Sequence, residues 1–269
     1  TCKAVPTQEG HILEGRWSLS SGCTHATWIA ALCPISTPDG SKLISTERKD
    51  MKIFLIPKDQ VEFVDSWTAQ GMKGTSSFGY DLKDMFVPTN HTYEQDKADP
   101  WYKGPHYIIP RTLLFATGFS TIALATAKAS INIAIDFAKA SQTGRSNILL
   151  RDRDTIQRSI GEAQAIYSAG RAFLRQSMEK VWESASEKSS LTLEERINLR
   201  LAATHGIRTA ANVVDTCYNL CGSSAIFAEN PIQRRFQDIH VITQHIQGHP
   251  INYETVGQFF LGLEPQGNF

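Results

Sequence analysis

Two different periods of apolar residues divide the chain near residue 105. Upstream, apolar positions come in short runs separated by turn residues. His11-Ile12-Leu13 and Arg16-Trp17-Ser18-Leu19 flank Glu14-Gly15, a spacing that predicts a hairpin closed by a glycine-containing turn. Thr27 to Cys33 is an apolar run stopped by Pro34, and Lys52 to Ile56 is another stopped by Pro57. Val61 to Val64 alternates, and Phe78 to Leu82 leads into Met85-Phe86-Val87-Pro88. Short strands at this spacing, punctuated by Gly and Pro, predict a small antiparallel β-barrel or sandwich over residues 1–93. Residues 94–107 are polar and carry Pro100, Gly104 and Pro105, which predicts a linker.

Downstream the apolar period lengthens to that of a helix. Leu113 to Ala140 is rich in Ala, Ile and Thr and looks buried on more than one face. Ile156, Ile160, Ala163, Tyr167, Gly170, Phe173 or Leu174, Met178 and Val181 step along a single stripe. Thr192 is placed as an N-cap, with Glu194 and Glu195 in the first turn, where carboxylates suit the positive end of the helix dipole. That third helix runs through Leu199, Ile207 and Val214 to a stop at Cys221-Gly222. A fourth segment follows Pro231 through Ile232, Phe236, Ile239 and Ile242. The expected fold class is therefore α+β: a β domain, then a C-terminal up-and-down four-helix bundle over residues 108–269.

Composition narrows the function classes. Of 269 residues, 27 are basic and 27 acidic, so the net charge is zero and a phosphate-tracking nucleic-acid binder is disfavoured. Apolar residues at 41% and charged residues at 20% exclude a disordered chain. The longest strongly apolar run, Thr121 to Ala127, is short for a membrane span, and no signal-peptide pattern opens the chain. Five cysteines at unmatched spacings read as free thiols in a reducing, cytoplasmic setting. Cys217 and Cys221 share a helical face, but nothing completes a metal site around them.

Two clusters carry candidate chemistry. Gly71 to Thr75 lacks the spacing of a phosphate-binding loop, and neither GxSxG nor HExxH occurs. His205, alone on an amphipathic helix, reads as a packing or surface residue. Between Arg234 and His245, the residues Asp238, Ile242 and His245 are spaced four and three apart. The plain account is a surface helix with ordinary histidines. The alternative is a carboxylate one turn from an imidazole, orienting it for acid–base work. Ser18 to Cys23 is either a common turn or a place where Ser21 and Gly22 let a planar ligand approach the backbone.

Gly15-Arg16-Trp17, Ser21-Gly22-Cys23, Gly71-Met72-Lys73-Gly74-Thr75, Met85-Phe86-Val87-Pro88, and Arg235 with Asp238 and His245 occur in this order over nearly the whole chain. With a β domain passing into a helical bundle, that order resembles the acyl-CoA dehydrogenase superfamily. More narrowly it resembles the two-component, reduced-flavin-dependent monooxygenases of that fold. The resemblance implies that Ser21 meets flavin N5, beside Leu19 where relatives often have Trp. It implies that Asn219, Gly222 and Ser223 approach the flavin tail of a neighbouring subunit, and that Arg145 binds flavin phosphate. Where the dehydrogenases carry a catalytic Glu followed by Gly-Thr, this chain has Gln244-His245-Ile246.

The implied activity is insertion of one oxygen atom from O2 into a small organic substrate through a flavin C4a-(hydro)peroxide. His245 would serve the peroxide chemistry, Ser21 would stabilise the intermediate, and Asp238 would orient His245. Reduced FMN or FAD would come from a separate flavin reductase, and the assembly would be a homotetramer, with no nucleic-acid or membrane partner. Members of the family normally begin with a further helical domain, whereas this chain starts at the β domain, so the resemblance implies a form lacking it. The competing readings are an acyl-CoA dehydrogenase-type enzyme with a relocated base such as Glu254, and a non-catalytic scaffold derived from the fold.

Overall fold

The computed structural model describes residues 2–47, 50–94, 104–142, 147–267 and 269. The chain divides into two compact units: Thr1–Ala69 with Lys73–Pro100, and Gln70–Met72 with Trp101–Phe269. Most of the expected linker, residues 95–103, lies outside the described residues.

The first unit holds β1 (Cys2–Pro6), β2 (Gly10–Ser20), β3 (Trp28–Cys33), β4 (Lys52–Pro57), β5 (Glu62–Val64), β6 (Phe78–Pro88) and β7 (Thr92–Glu94). They form two antiparallel sheets, ordered β1-β2-β6-β5 and β3-β4-β7. One core, including Ala4, Leu13, Ile29, Phe54, Ile56, Tyr80 and Val87, takes residues from both sheets. Of the two expected forms, this is the sandwich.

The expected hairpin around Glu14-Gly15 is not present. Gly10–Ser20 is one continuous strand, and its partner is β6. Pairing runs Leu13 to Met85 and then Gly15 to Leu82, which leaves an extra residue on β6, where Asp84 takes φ 49°. Further along, Trp17 pairs Tyr80 and Ser20 pairs Phe78, with the extra residue now on β2, where Leu19 takes φ 64°. A glycine inside an apolar run signals a bulge as readily as a turn, and the distant partner strand decides between them. The same pairing joins Phe78–Leu82 and Met85–Pro88 into one strand. The strand ends at Ser20, still paired with Phe78, and Ser21 begins the turn that follows.

The second unit contains α1 (Pro105–Ile108), α2 (Arg111–Ala140), α3 (Asp154–Lys188), α4 (Leu193–Leu220), α5 (Pro231–Gln244) and α6 (Ile251–Phe260). The four expected helices are α2 to α5. The short α1 falls within the expected linker, and α6 had no counterpart in the sequence reading. Thr192 caps α4 as expected: its side chain accepts from the Glu195 amide, and the Glu195 carboxylate accepts from the Thr192 amide at 2.8 Å. Gly222, at φ 55°, ends the same helix.

By length and composition α2 could cross a membrane, which the search for uninterrupted apolar runs did not anticipate. In the fold, 44% of its most apolar window is buried within the protein, and Ala116, Ala123, Leu124, Ala127 and Ile131 belong to the helical core. Several of its hydroxyls are accommodated locally, Thr117, Thr126 and Ser130 donating to carbonyls three or four residues back, while the buried Ser120 hydroxyl has no partner among the described residues. Small residues let α2 meet α4 closely. A Cβ placed on Gly206 would stand 2.2 Å from the Ser120 hydroxyl oxygen.

Gly206→Ala is therefore expected to destabilise the protein by about 1–3 kcal/mol through overpacking. A urea titration should show a lowered midpoint with unchanged slope; an unmoved midpoint would contradict this account of the contact.

Candidate active site

In the β unit, the bulge at Leu19 delivers Ser20-Ser21-Gly22 into a tight turn. Gly22 takes φ 84°, a conformation that suits glycine, and its amide donates to the Thr75 carbonyl at 2.8 Å. The exposed Ser21 hydroxyl lies 2.7 Å from that of buried Ser77, which lies 2.7 Å from Thr75 Oγ1. Three hydroxyls thus form a chain with one end at the surface. Leu19, Met72 and Ser76 all hold positive φ, so left-handed backbone gathers in the two segments that carry the predicted motifs. Trp17 stacks on Tyr80 with ring centroids 5.3 Å apart and donates its indole N–H to the Leu32 carbonyl.

In the helical unit, His245 does not continue α5. It caps the helix end in extended conformation and opens a 3₁₀ turn over Ile246–Gly248. Its ring stacks on Phe119 of α2, centroids 4.0 Å apart and planes 14° from parallel. Its Nδ1 accepts from the Gln247 amide at 3.3 Å. Burial pushes the imidazole below its ordinary pKa of 6.5, so the ring is neutral near pH 7. With Nδ1 accepting, the proton of the neutral ring sits on Nε2, and the free edge of the ring is a donor.

The expected Asp238–His245 pairing is absent. Asp238 Oδ1 accepts from the Met72 amide at 2.5 Å, and none of the described hydrogen bonds joins it to His245. The helical spacing held as far as Gln244, but the turn at His245 carries the ring onto Phe119 instead. Residues 70–72 lie flush against α5: a Cβ on Gly71 would come within 2.3 Å of the Gln237 carbonyl oxygen. The carboxylate–imidazole pair that does form is Asp215 with His240, at 2.9 Å.

The remaining predicted residues fall at two places. Asn219, Gly222 and Ser223 lie together, exposed, at the C-terminal end of α4. Arg145 lies outside the described residues. Cys217 and Cys221 are buried thiols that desolvation pushes up to about 12 and about 11, so they are poor nucleophiles at neutral pH. His205 is a surface residue within 3.2 Å of the Thr209 hydroxyl.

Residues 117–250 match the family described as acyl-CoA dehydrogenase, C-terminal domain. The XiaF structure from Streptomyces sp., in complex with FADH2 and glycerol, superposes with a TM-score of 0.90 at 20% identity, covering 100% of this chain and 69% of that one. Residues 117–250 belong to the acyl-CoA dehydrogenase superfamily as its C-terminal domain, and the chain as a whole shares the fold of the XiaF structure. Among its sequence relatives, indole-3-acetate monooxygenase of Acinetobacter baumannii is 27% identical over 96% of this chain and 65% of its own length. The oxygenase component of the FADH(2)-dependent resorcinol hydroxylase of Rhizobium sp. is 24% identical over 97% of this chain and 66% of its own length. The chain thus spans about two-thirds of the length of these relatives.

With this fold, the chain has functional candidates that the sequence reading missed. Ser77 connects Ser21 to Thr75, and the hydroxyl run Thr75-Ser76-Ser77 after Gly74 was the available signal. Phe119 forms one wall of the imidazole, and nothing in the periodicity of α2 distinguishes it from a packing residue. Glu254 is exposed in the first turn of α6, a poor position for the relocated base of a dehydrogenase. The superfamily implies a flavin. Ser21, with one hydrogen bond committed to Ser77 and the rest of its capacity at the surface, fits a polar ring edge. Gly22 leaves room beside it, since a Cβ there would meet only the His25 ring, at 3.5 Å.

The histidines set a pH dependence. Burial holds both His11 and His245 below 6.5 in the folded state, while the unfolded chain protonates them near that value. Stability contributed by the neutral rings is complete above the unfolded pKa and is lost as pH falls toward the depressed folded values. Urea unfolding between pH 7.5 and pH 5 should show this loss, and His245→Gln should make the dependence shallower. An identical slope for the variant would contradict the assignment.

Proposed function

We propose that this chain carries the flavin and oxygen chemistry of a two-component monooxygenase, which inserts one atom of O2 into a small organic substrate. The observation that carries the reading is His245: a neutral imidazole, stacked on Phe119 and presenting Nε2–H, at the sequence position where the resemblance would put a dehydrogenase's carboxylate. A neutral Nε2–H donor with its Nδ1 already accepting is a poor base for removing an α-proton, but it can hydrogen-bond a reacting oxygen and stabilise the charge that develops there. The relatives named as monooxygenase and hydroxylase support the same choice.

Bound reduced flavin supplies the two electrons, so that one oxygen atom enters the substrate and the other leaves as water. Ser21 would hold the ring edge, with its hydroxyl oriented through Ser77 and Thr75 so that its remaining capacity is directed at the ligand. His245 would donate from Nε2 to the reacting oxygen, and Phe119 would shield the ring from water. Asp238 would act on the backbone by holding the Met72 amide. Asn219, Gly222 and Ser223 would meet the flavin tail, as would Arg145. Reduced FMN or FAD is proposed as the cofactor, supported by the FADH2 named for XiaF and for the Rhizobium hydroxylase. The latter's description as an oxygenase component supports a separate reductase as partner.

The homotetramer is part of the same proposal, supported by apolar side chains left exposed on the helices, among them Phe115, Ile122 and Ile166. A cytoplasmic location is supported by five unpaired cysteines.

With a flavin reductase, NADH and O2, the protein should hydroxylate members of a small aromatic panel that includes indole-3-acetate and resorcinol. His245→Ala should lower product formation by roughly 10²-fold while flavin affinity stays within a few-fold. Undiminished hydroxylation by a flavin-binding variant would overturn the role given to His245.

A further inference from the structure

Arg200, on α4, is the largest fully buried side chain among the described residues, 1% exposed. Among the described residues no carboxylate pairs with it. Nη1 donates to Gln247 Oε1 at 2.5 Å, Nη2 donates to Thr112 Oγ1 at 2.9 Å, and Nε has no partner among the described residues. Burial lowers its pKa to about 10, which still leaves it protonated at neutral pH. A buried cation held only by neutral oxygens is costly to desolvate, and a methionine would fill the same space without that cost. The cation is a poor choice for packing, so the position of its partners is the natural place to look for its purpose.

Those partners converge on one turn. Arg200, Thr204 and Ile207 lie at i, i+4 and i+7, a single face of α4. Arg200 holds the Gln247 side chain, Thr204 Oγ1 donates to the Gln247 carbonyl at 3.4 Å, and Ile207 lies against Gly248, where an added Cβ would stand 2.7 Å from Ile207 Cγ2. From the other side, Asn252 Nδ2 donates to the carbonyls of Ile246 and Gln247. Gln247 is thus fixed at its side-chain oxygen and at its carbonyl, and its backbone N–H donates to Nδ1 of His245. Thr112, at the start of α2, ties the same guanidinium to the helix that carries Phe119.

We propose that Arg200 is a positioning residue for His245: through Gln247 it clamps the 246–248 turn, and the clamped Gln247 amide locks the imidazole as the Nε2–H donor. The proposal rests on the oxygenase reading for the use of that donor. The clamp itself is a property of the flavin-free protein and is tested there.

The test is nitrogen NMR of ring-labelled histidine in the flavin-free protein, assigned by comparison with His245→Gln. In the wild type, His245 should be a single Nε2–H tautomer that titrates below 6.5. In Arg200→Met its signals should average between tautomers, its midpoint should rise toward 6.5, and the Gln247 amide should exchange faster. Arg200→Lys, which keeps a donor and the charge, should restore part of the lock. If Arg200→Met fails to fold, the double variant Arg200→Met with Gln247→Leu decides, because it leaves only the half-buried Thr112 hydroxyl without its donor. With reductase and substrate present, the product formed per reduced flavin should fall about tenfold or more at unchanged flavin affinity. A folded variant with wild-type tautomer and midpoint would overturn the proposal, as would a wild-type ring already exchanging between tautomers. A lock that responds to Arg200 in a protein that oxygenates nothing would support the clamp and sink the oxygenase reading.

Discussion

The close passage of α4 against α2 is the constraint on which the rest of the helical unit depends. Gly206 faces Ser120 with no room for a side chain, and Ala116, Ala123, Ala127, Ala203 and Ala210 line the same core. A helix pair built on such small residues has little tolerance for sliding, because close packing penalises even one added methyl group. On this rigid pair sit the two groups that define His245: Phe119 of α2 under its ring, and the face of α4 that grips the turn after it.

Each unit carries its own chemistry. The β unit offers hydroxyls in series, Ser21, Ser77 and Thr75, each able to donate or accept, on a backbone bent by bulges and left-handed residues. The helical unit offers an imidazole whose direction is fixed. Burial keeps it uncharged, and a backbone amide occupies its basic nitrogen. A group that must donate to developing negative charge on oxygen, without first surrendering a proton to solvent, is well served by this arrangement.

Much of this was legible in the sequence. The period change near residue 105, the Thr192 cap with Glu195, and the stop at Gly222 are local signals, and local signals survive into the fold. What failed depended on partners far along the chain. Gly15 reads as a turn until β6 pairs across it, and Asp238 seems aimed at His245 until the Met72 amide takes its carboxylate. Ser77, Phe119 and Arg200 were not found because hydroxyls, aromatic rings and arginines are common. Only the tertiary contacts reveal that these three touch Ser21, His245 and Gln247.

The most direct measurement is the fate of labelled dioxygen. The protein would be loaded anaerobically with chemically reduced flavin, without any reductase, and mixed with ¹⁸O₂ in the presence of an aromatic substrate. The account predicts product carrying one ¹⁸O atom, with the second recovered in water. Product oxygen drawn from solvent, or oxidation of an acyl thioester by the flavin-loaded protein with no oxygen inserted, would contradict it.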